Sequence, residues 1–264
     1  MPRVAAAALL VFALTAAGPP KDAAGDAAAY ARCMQMARDD PRAGLDLAQA
    51  WQKRGGAHPA EHCLAVALIG AKRYAEAAAR LSALAQEMEK APSGLRAEVL
   101  DQEGQAWLLA GDAGRAYAAA DAAVALAPDD PNLLVDRAEA AGVGGRYDQA
   151  LADLDRVLQQ DPDRVEALTY RASAERALNR LDPALADIEK ALRIQPDLPP
   201  ALLERGNIRR LKGDRAGARE DWLHLIDSAP ASPEAATARS NLAALTAETE
   251  SGGRTAPAGS APSR

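Results

Sequence analysis

The chain has 264 residues, 48% of them hydrophobic but only 3% aromatic, and alanine supplies much of the apolar fraction. That composition suits closely packed helices and argues against a sheet-rich fold. A formal charge of −6 and a pI near 5.2 provide no basic field to attract phosphates or an anionic membrane surface, so nucleic acid is excluded as a partner.

In chain order, Arg3 precedes an uncharged run from Val4 to Ala17, and the breakers Gly18, Pro19 and Pro20 follow it. The run is shorter than the roughly 20 residues a helical bilayer span needs, and Thr15 and Ala17 are small residues at the −3 and −1 positions of a signal-peptidase site. The pattern predicts a signal peptide over residues 1–17 and a linker over 18–22. The mature protein is then periplasmic or secreted, with no stable membrane span after cleavage. Cys33 and Cys63 are the only cysteines, and an even count in an oxidising compartment predicts one disulfide.

Downstream, Pro128, Pro162, Pro196 and Pro230 stand 34 residues apart, and an alanine recurs on the same spacing at Ala116, Ala150, Ala184 and Ala218. Ala77 and Ala43 extend the series backwards, with five extra residues placed around Glu89 to Arg96, where Pro92, Ser93 and Gly94 mark a loop. Twelve residues before each alanine stands a small residue: Ala31, Ala65, Gly104, Ala138, Ala172 and Gly206. A small side chain there lets two helices approach closely. Five residues before the alanine come Gly111, Gly145 and Gly213, with Asn179 in the same place, as a left-handed helix C-cap requires. Leu47, Leu81, Ala120, Leu154, Ile188 and Trp222 follow the alanines and should face the next repeat, whereas Ala119 carries no packing role in this register.

A 34-residue period with two helices per unit resembles the tetratricopeptide repeat (TPR) family of exported bacterial type. The resemblance implies an all-α fold, a right-handed superhelical solenoid of about six helix-turn-helix repeats. Their boundaries fall near 24–57, 58–91, 97–130, 131–164, 165–198 and 199–232, within an array over 23–248. Residues 233–248 read as a capping helix, and the Gly, Ser, Pro and Ala-rich segment 249–264 as a disordered tail. Repeat one lacks the glycine turn and has Arg38, Asp39, Asp40 and Pro41 instead. By register Cys33 and Cys63 lie on the first helices of adjacent repeats, which predicts that they pair with each other.

Nothing in the chain carries the chemistry of an enzyme. There is no G-x-S-x-G, no H-E-x-x-H and no phosphate-binding glycine loop, and no cofactor is implied. Cys33, His58, His62 and Cys63 have zinc-like residue types but not the paired spacing of a structural site. A redox or metal-handling protein built on them is the alternative reading, and a passive structural spacer a further one. His224, among Trp222, Leu223, Leu225 and Ile226, reads as a partly buried packing residue.

The resemblance implies that function lies in a concave groove lined by first helices, which holds a peptide or partner helix, with a role in assembling an envelope complex. By register the groove residues are Glu98, Asp101, Gln105, Asn132, Asp136, Glu139, Glu166, Thr169, Tyr170, Ser173, Arg176, Glu204, Asn207 and Arg210. The excess of acids predicts a basic or amphipathic partner. It also argues against the basic clamp by which some TPR co-chaperones hold a C-terminal carboxylate.

Overall fold

A computed structural model describes residues 23–253; the expected signal peptide and linker, and the end of the expected tail, lie outside the described residues. Thirteen helices and no strand occur among the described residues. They fall into two compact units, the first ending at Asp153 and the second beginning at Leu154.

The first unit contains α1 (Ala23–Asp39), α2 (Pro41–Gln52), α3 (Ala57–Gly70), α4 (Tyr74–Glu87), α5 (Ser93–Leu109), α6 (Ala113–Leu126), α7 (Pro131–Val143) and the first half of α8 (Tyr147–Gln160). α1, α3 and α5 each pack on the even-numbered helix that follows, and α1 also meets α3, as α5 meets α7. First helices therefore neighbour first helices in this unit, the arrangement that stacked helix pairs adopt to bury stripes that one pair alone leaves exposed. The turn between first and second helices closes at Lys72, Gly111 and Gly145, all with positive φ. After each, a backbone N–H reaches back across the helix end: Arg73 to Leu68 at 2.9 Å, Asp112 to Trp107 at 2.9 Å and Arg146 to Ala141 at 2.8 Å. This cap satisfies carbonyls that the helix leaves unpaired, and glycine adopts it without strain.

Three features of the first unit depart from the periodic reading. Repeat one has a shifted register: Ala31 is exposed and Ala43 half-buried, while Gly44 and Ala48 are buried. A Cβ on Gly44 would stand 2.6 Å from the Ala37 Cα, so the tightest crossing is Gly44 on Ala37. The cause is the missing turn: Asp40 alone separates α1 from α2, and its carboxylate caps α2 by accepting from the Arg42 and Ala43 N–H groups, both at 3.1 Å. Next, part of the insertion expected as loop is helix. α5 starts at Ser93 and has 17 residues against 13 in α7, so Ser93 and Gly94 belong to its first turn. Finally, Ala119 is only 5% exposed and belongs to the core.

The second unit holds the rest of α8, then α9 (Val165–Ala177), α10 (Leu181–Ile194), α11 (Pro199–Leu211), α12 (Arg215–Ser228) and α13 (Pro233–Gly253). Its core is Ala172, Ala184, Ile188, Leu202, Ile208, Ala218, Trp222 and Leu225, closed by Ala238 and Leu245 of α13. Asn179 and Gly213 take positive φ at the turns, as the register requires. Gly206 is needed because Trp222 is large, since a Cβ there would stand 2.3 Å from the indole Nε1. At the equivalent crossing one repeat earlier, Ala172 faces Ile188, which leaves room for a methyl group. α13 packs on α11 and α12 and runs to Gly253, past the Glu248 boundary read from the sequence. Among the residues of α13 whose burial is described, Leu245 is the last buried one. His224 is not a packing residue: it is exposed, and its Nε2 stands 2.7 Å from Asp197 Oδ1.

Candidate functional site

Two polar systems arise from the repeat, one internal and one on the first-helix face. The internal system is a series of clasps between the two helices of a repeat. In the first unit Arg137 of α7 donates Nε and Nη2 to Asp153 of α8 at 2.7 and 2.6 Å, and Nη1 to Asp121 of α6 at 2.6 Å. In the second, Arg171 of α9 holds Asp187 of α10 at 2.6 and 2.8 Å and Asp155 of α8 at 2.9 Å. Arg205 of α11 holds Asp221 of α12, which Arg209 also reaches at 3.0 Å. Asp153, Asp187 and Asp221 are all buried, so each clasp is a two-pronged guanidinium–carboxylate pair largely shielded from water.

Read as charges on helix faces, these residues pass for solvated ones. Their signal is the spacing: Arg137, Arg171 and Arg205 recur every 34 residues, as do Asp153, Asp187 and Asp221. Ala119 occupies the aspartate position of repeat three, where the arginine position is Glu103. That repeat therefore lacks the clasp. Burial pushes the Glu103 carboxyl up, and Trp107 Nε1 donates to it at 3.2 Å.

On the first-helix face of the first unit, Asp101 of α5 meets Asp136 of α7 in a carboxyl–carboxyl hydrogen bond. Gln105 Nε2 also donates to Asp101 Oδ2 at 2.9 Å. Burial first, then the charges of Asp136, Asp130 and Glu139, push the Asp101 carboxyl well above the usual carboxylate range, so the pair holds a proton between its members. Glu98, one turn earlier on α5, is raised by burial and by Asp130. Asn132 is exposed, and its backbone N–H caps α7 by donating to Asp130 at 2.8 Å.

The second unit disposes of its candidate residues differently. Thr169 is buried and its hydroxyl donates to the Val165 carbonyl at 2.8 Å, so it offers nothing to a ligand. Glu204 is buried too, its carboxylate held by Arg176 of α9. Neither residue is the groove-facing group the register implied: Thr169 bonds back to its own helix and Glu204 is engaged by the Arg176 guanidinium. Glu166 stands 3.7 Å from Arg164, and Asn207 Oδ1 accepts from Asn241 of α13 at 3.0 Å. Tyr170 and Ser173 are half-buried and Arg210 is exposed. Among the candidate groove residues, acid crowding is thus confined to the first unit, whereas in the second Glu204 is paired with the Arg176 guanidinium.

The cysteines and histidines do not form a ligand set. Cys33 of α1 and Cys63 of α3 are joined in a disulfide with Cα atoms 6.1 Å apart. His62 is fully buried between Tyr30 Oη, 2.7 Å from its Nδ1, and Gln102 Oε1, 2.8 Å from its Nε2. Because the amide oxygen only accepts, Nε2 carries the proton and Nδ1 accepts from the tyrosine. His58 is at the surface, 3.5 Å from Glu87.

No known family profile matches the sequence, and no curated protein matches it. Solved structures do. A TPR protein of Parabacteroides merdae superposes with a TM-score of 0.69 at 14% identity, covering 84% of this chain and 89% of its own. A thermophilic TPR protein of Thermus thermophilus gives 0.58 at 20% identity, over 72% of this chain and 99% of its own. YrrB, described as a TPR protein with an unusual peptide-binding site, gives 0.50 at 18% identity, over 73% and 96%. At these identities the likeness is one of fold, and paired helices with turns at Gly111, Gly145, Asn179 and Gly213 and a closing α13 make that fold the TPR type, with about six repeats and a cap.

Proposed function

We propose that the chain is a protein-interaction scaffold that holds a basic or amphipathic segment of a partner on the first-helix face of its first unit. The observation that carries this reading is Asp101, a carboxyl at which the charges of Asp136, Asp130 and Glu139 converge, so that the pair retains a proton. A lysine or arginine side chain placed there releases that proton and relieves the repulsion. A neutral or acidic segment does neither. That YrrB is described as having a peptide-binding site supports the use of such a fold for this purpose.

The sign of the pH dependence follows. A bound cation favours the ionised carboxyl, so binding releases protons and affinity rises with pH toward the raised pKa of the pair. Calorimetry with a lysine-rich amphipathic peptide and its glutamate-substituted counterpart is the test. The basic peptide is expected to bind, to release protons in buffers of differing ionisation enthalpy, and to lose affinity as salt rises. Asp136→Asn with Glu139→Gln should weaken it roughly tenfold. Equal binding of both peptides, or no change in the variant, overturns the reading.

The same proposal places the mature chain outside the cytoplasm, in the assembly of an envelope complex, on the charged-then-apolar-then-small pattern of residues 3–17. Intact-mass measurement of the exported protein should find a start near Gly18. A soluble cytoplasmic chain that retains Met1 refutes it.

A further inference from the structure

Repeats five and six carry opposite charges at one interior position. On α11, Arg209 donates Nη1 to Asp221 at 3.0 Å and lies 4.0 Å from Asp214. The residues 34 positions earlier are Glu175, Asp187 and Arg180. The outer pair is reversed in sign, while the central aspartate is not. Where Asp221 receives a second guanidinium, Asp187 has a second carboxylate acting on it.

Glu175 Oε2 is buried and accepts no hydrogen bond among the described residues. The charged groups that act on it are Asp187 on α10, Arg171 on its own helix, Asp155 on α8 and Arg180 in the turn. Arg171 is already engaged by Asp187 and Asp155 at 2.6 and 2.9 Å, so little of its charge is left to balance a third acid. Removing an ionised oxygen from water without a donor is costly, and removing a neutral one much less so.

We propose that Glu175 is a pH sensor built into repeat five: its neutral carboxyl lets α9 and α10 close on each other, and its ionised form loosens them, while repeat six stays closed. Burial first, and Asp187 next, push the carboxyl up from 4.5 to about 7. The folded repeat thus keeps a proton that the unfolded chain has already lost. Its stability is greatest below pH 4.5, falls as pH rises toward about 7, and is level above that. This places the transition near neutrality, within the range in which an exported or cytoplasmic protein operates. The inference is independent of what binds the first unit.

Hydrogen exchange of the full oxidised chain, read by mass spectrometry at pH 5.5 and 8 and corrected for intrinsic rates, tests it. Peptides from α9 and α10 are expected to lose about tenfold in protection at the higher pH, and those from α11 and α12 are not. Glu175→Gln should hold protection high at both values, as should Glu175→Arg with Arg180→Asp, which together reproduce the outer pair of repeat six. The proposal is overturned if α9 and α10 behave as α11 and α12 do, or if Glu175→Gln leaves the pH dependence unchanged. A carboxyl carbon titration of the wild-type chain by NMR decides independently of any variant: a Glu175 midpoint near 7 is expected, and one in the ordinary glutamate range refutes it.

Discussion

Asp221→Ala is expected to be among the most damaging single substitutions in the second unit, lowering its stability by about 3 to 5 kcal/mol. The carboxylate is 3% exposed and accepts from Arg205 Nε and Nη2 and from Arg209 Nη1. Its removal leaves two guanidinium groups between α11 and α12 that have lost their common partner. The larger part of the cost is the desolvation of those groups, not the loss of attraction, because an ion pair repays little more than it costs to bury. The order of effects follows from the partner count. Asp187→Ala should be milder, since within its unit Asp187 is held by Arg171 alone, and Arg171 retains Asp155 afterwards. Adding Arg205→Leu to Asp221→Ala should recover part of the loss, because it deletes one of the stranded charges. Urea midpoints of the three variants, followed by circular dichroism and by exchange in α11 and α12, check the order. An Asp221→Ala midpoint no lower than that of Asp187→Ala rules this account out.

What could be read from the sequence, and what could not, divides along the length of the interaction. Turn residues act within one helix end, so Gly111, Gly145, Gly213 and Asn179 announced their conformation directly, and the structure places each at positive φ. Small residues at the crossings act between two helices of one repeat and were legible wherever the period held. They failed in repeat one, where Asp40 replaces the turn and Gly44 rather than Ala43 becomes the contact. Charged residues were the least legible. Arg137, Arg171 and Arg205 look like solvated helix-face residues until their spacing is compared with that of Asp153, Asp187 and Asp221. Even then the pairing depends on how far a guanidinium reaches. The link from Arg176 to Glu204 joins the first helices of successive repeats and has no counterpart in a helix-face pattern. For that reason the acids expected as one series from Glu98 to Glu204 separate into a crowded set in the first unit and a neutralised one in the second.

The disulfide is expected to decide whether the first repeat folds at all. α1 is bound to the rest of its unit by the buried face of Tyr30, Cys33, Met34 and Ala37, by the Tyr30–His62 hydrogen bond and by the bond from Cys33 to Cys63. An apolar face of that size is small, since one member is alanine and another is the cysteine itself. Both cysteines are fully buried, with a sequence separation of 30, so on the chain-entropy account the cross-link contributes roughly 3 to 4 kcal/mol, concentrated in α1, α2 and α3. Cys33→Ala with Cys63→Ala should therefore abolish hydrogen-exchange protection in α1 and α2 while α5 to α7 remain protected, because contacts between neighbouring repeats are all that couples them. Acid should deepen the defect. Burial holds the His62 imidazole below its ordinary 6.5, so the folded form has shed a proton that the unfolded chain binds. The stability this gives is present above 6.5 and is lost as pH falls below it. Exchange in the double variant at pH 7.5 and 5.5 reads both effects, with His62→Gln as the control that should remove the second and keep the first. Protection of α1 that survives without the disulfide would show that the packing of Tyr30 and Met34 suffices, and the cross-link would then be a consequence of the fold and not a condition for it.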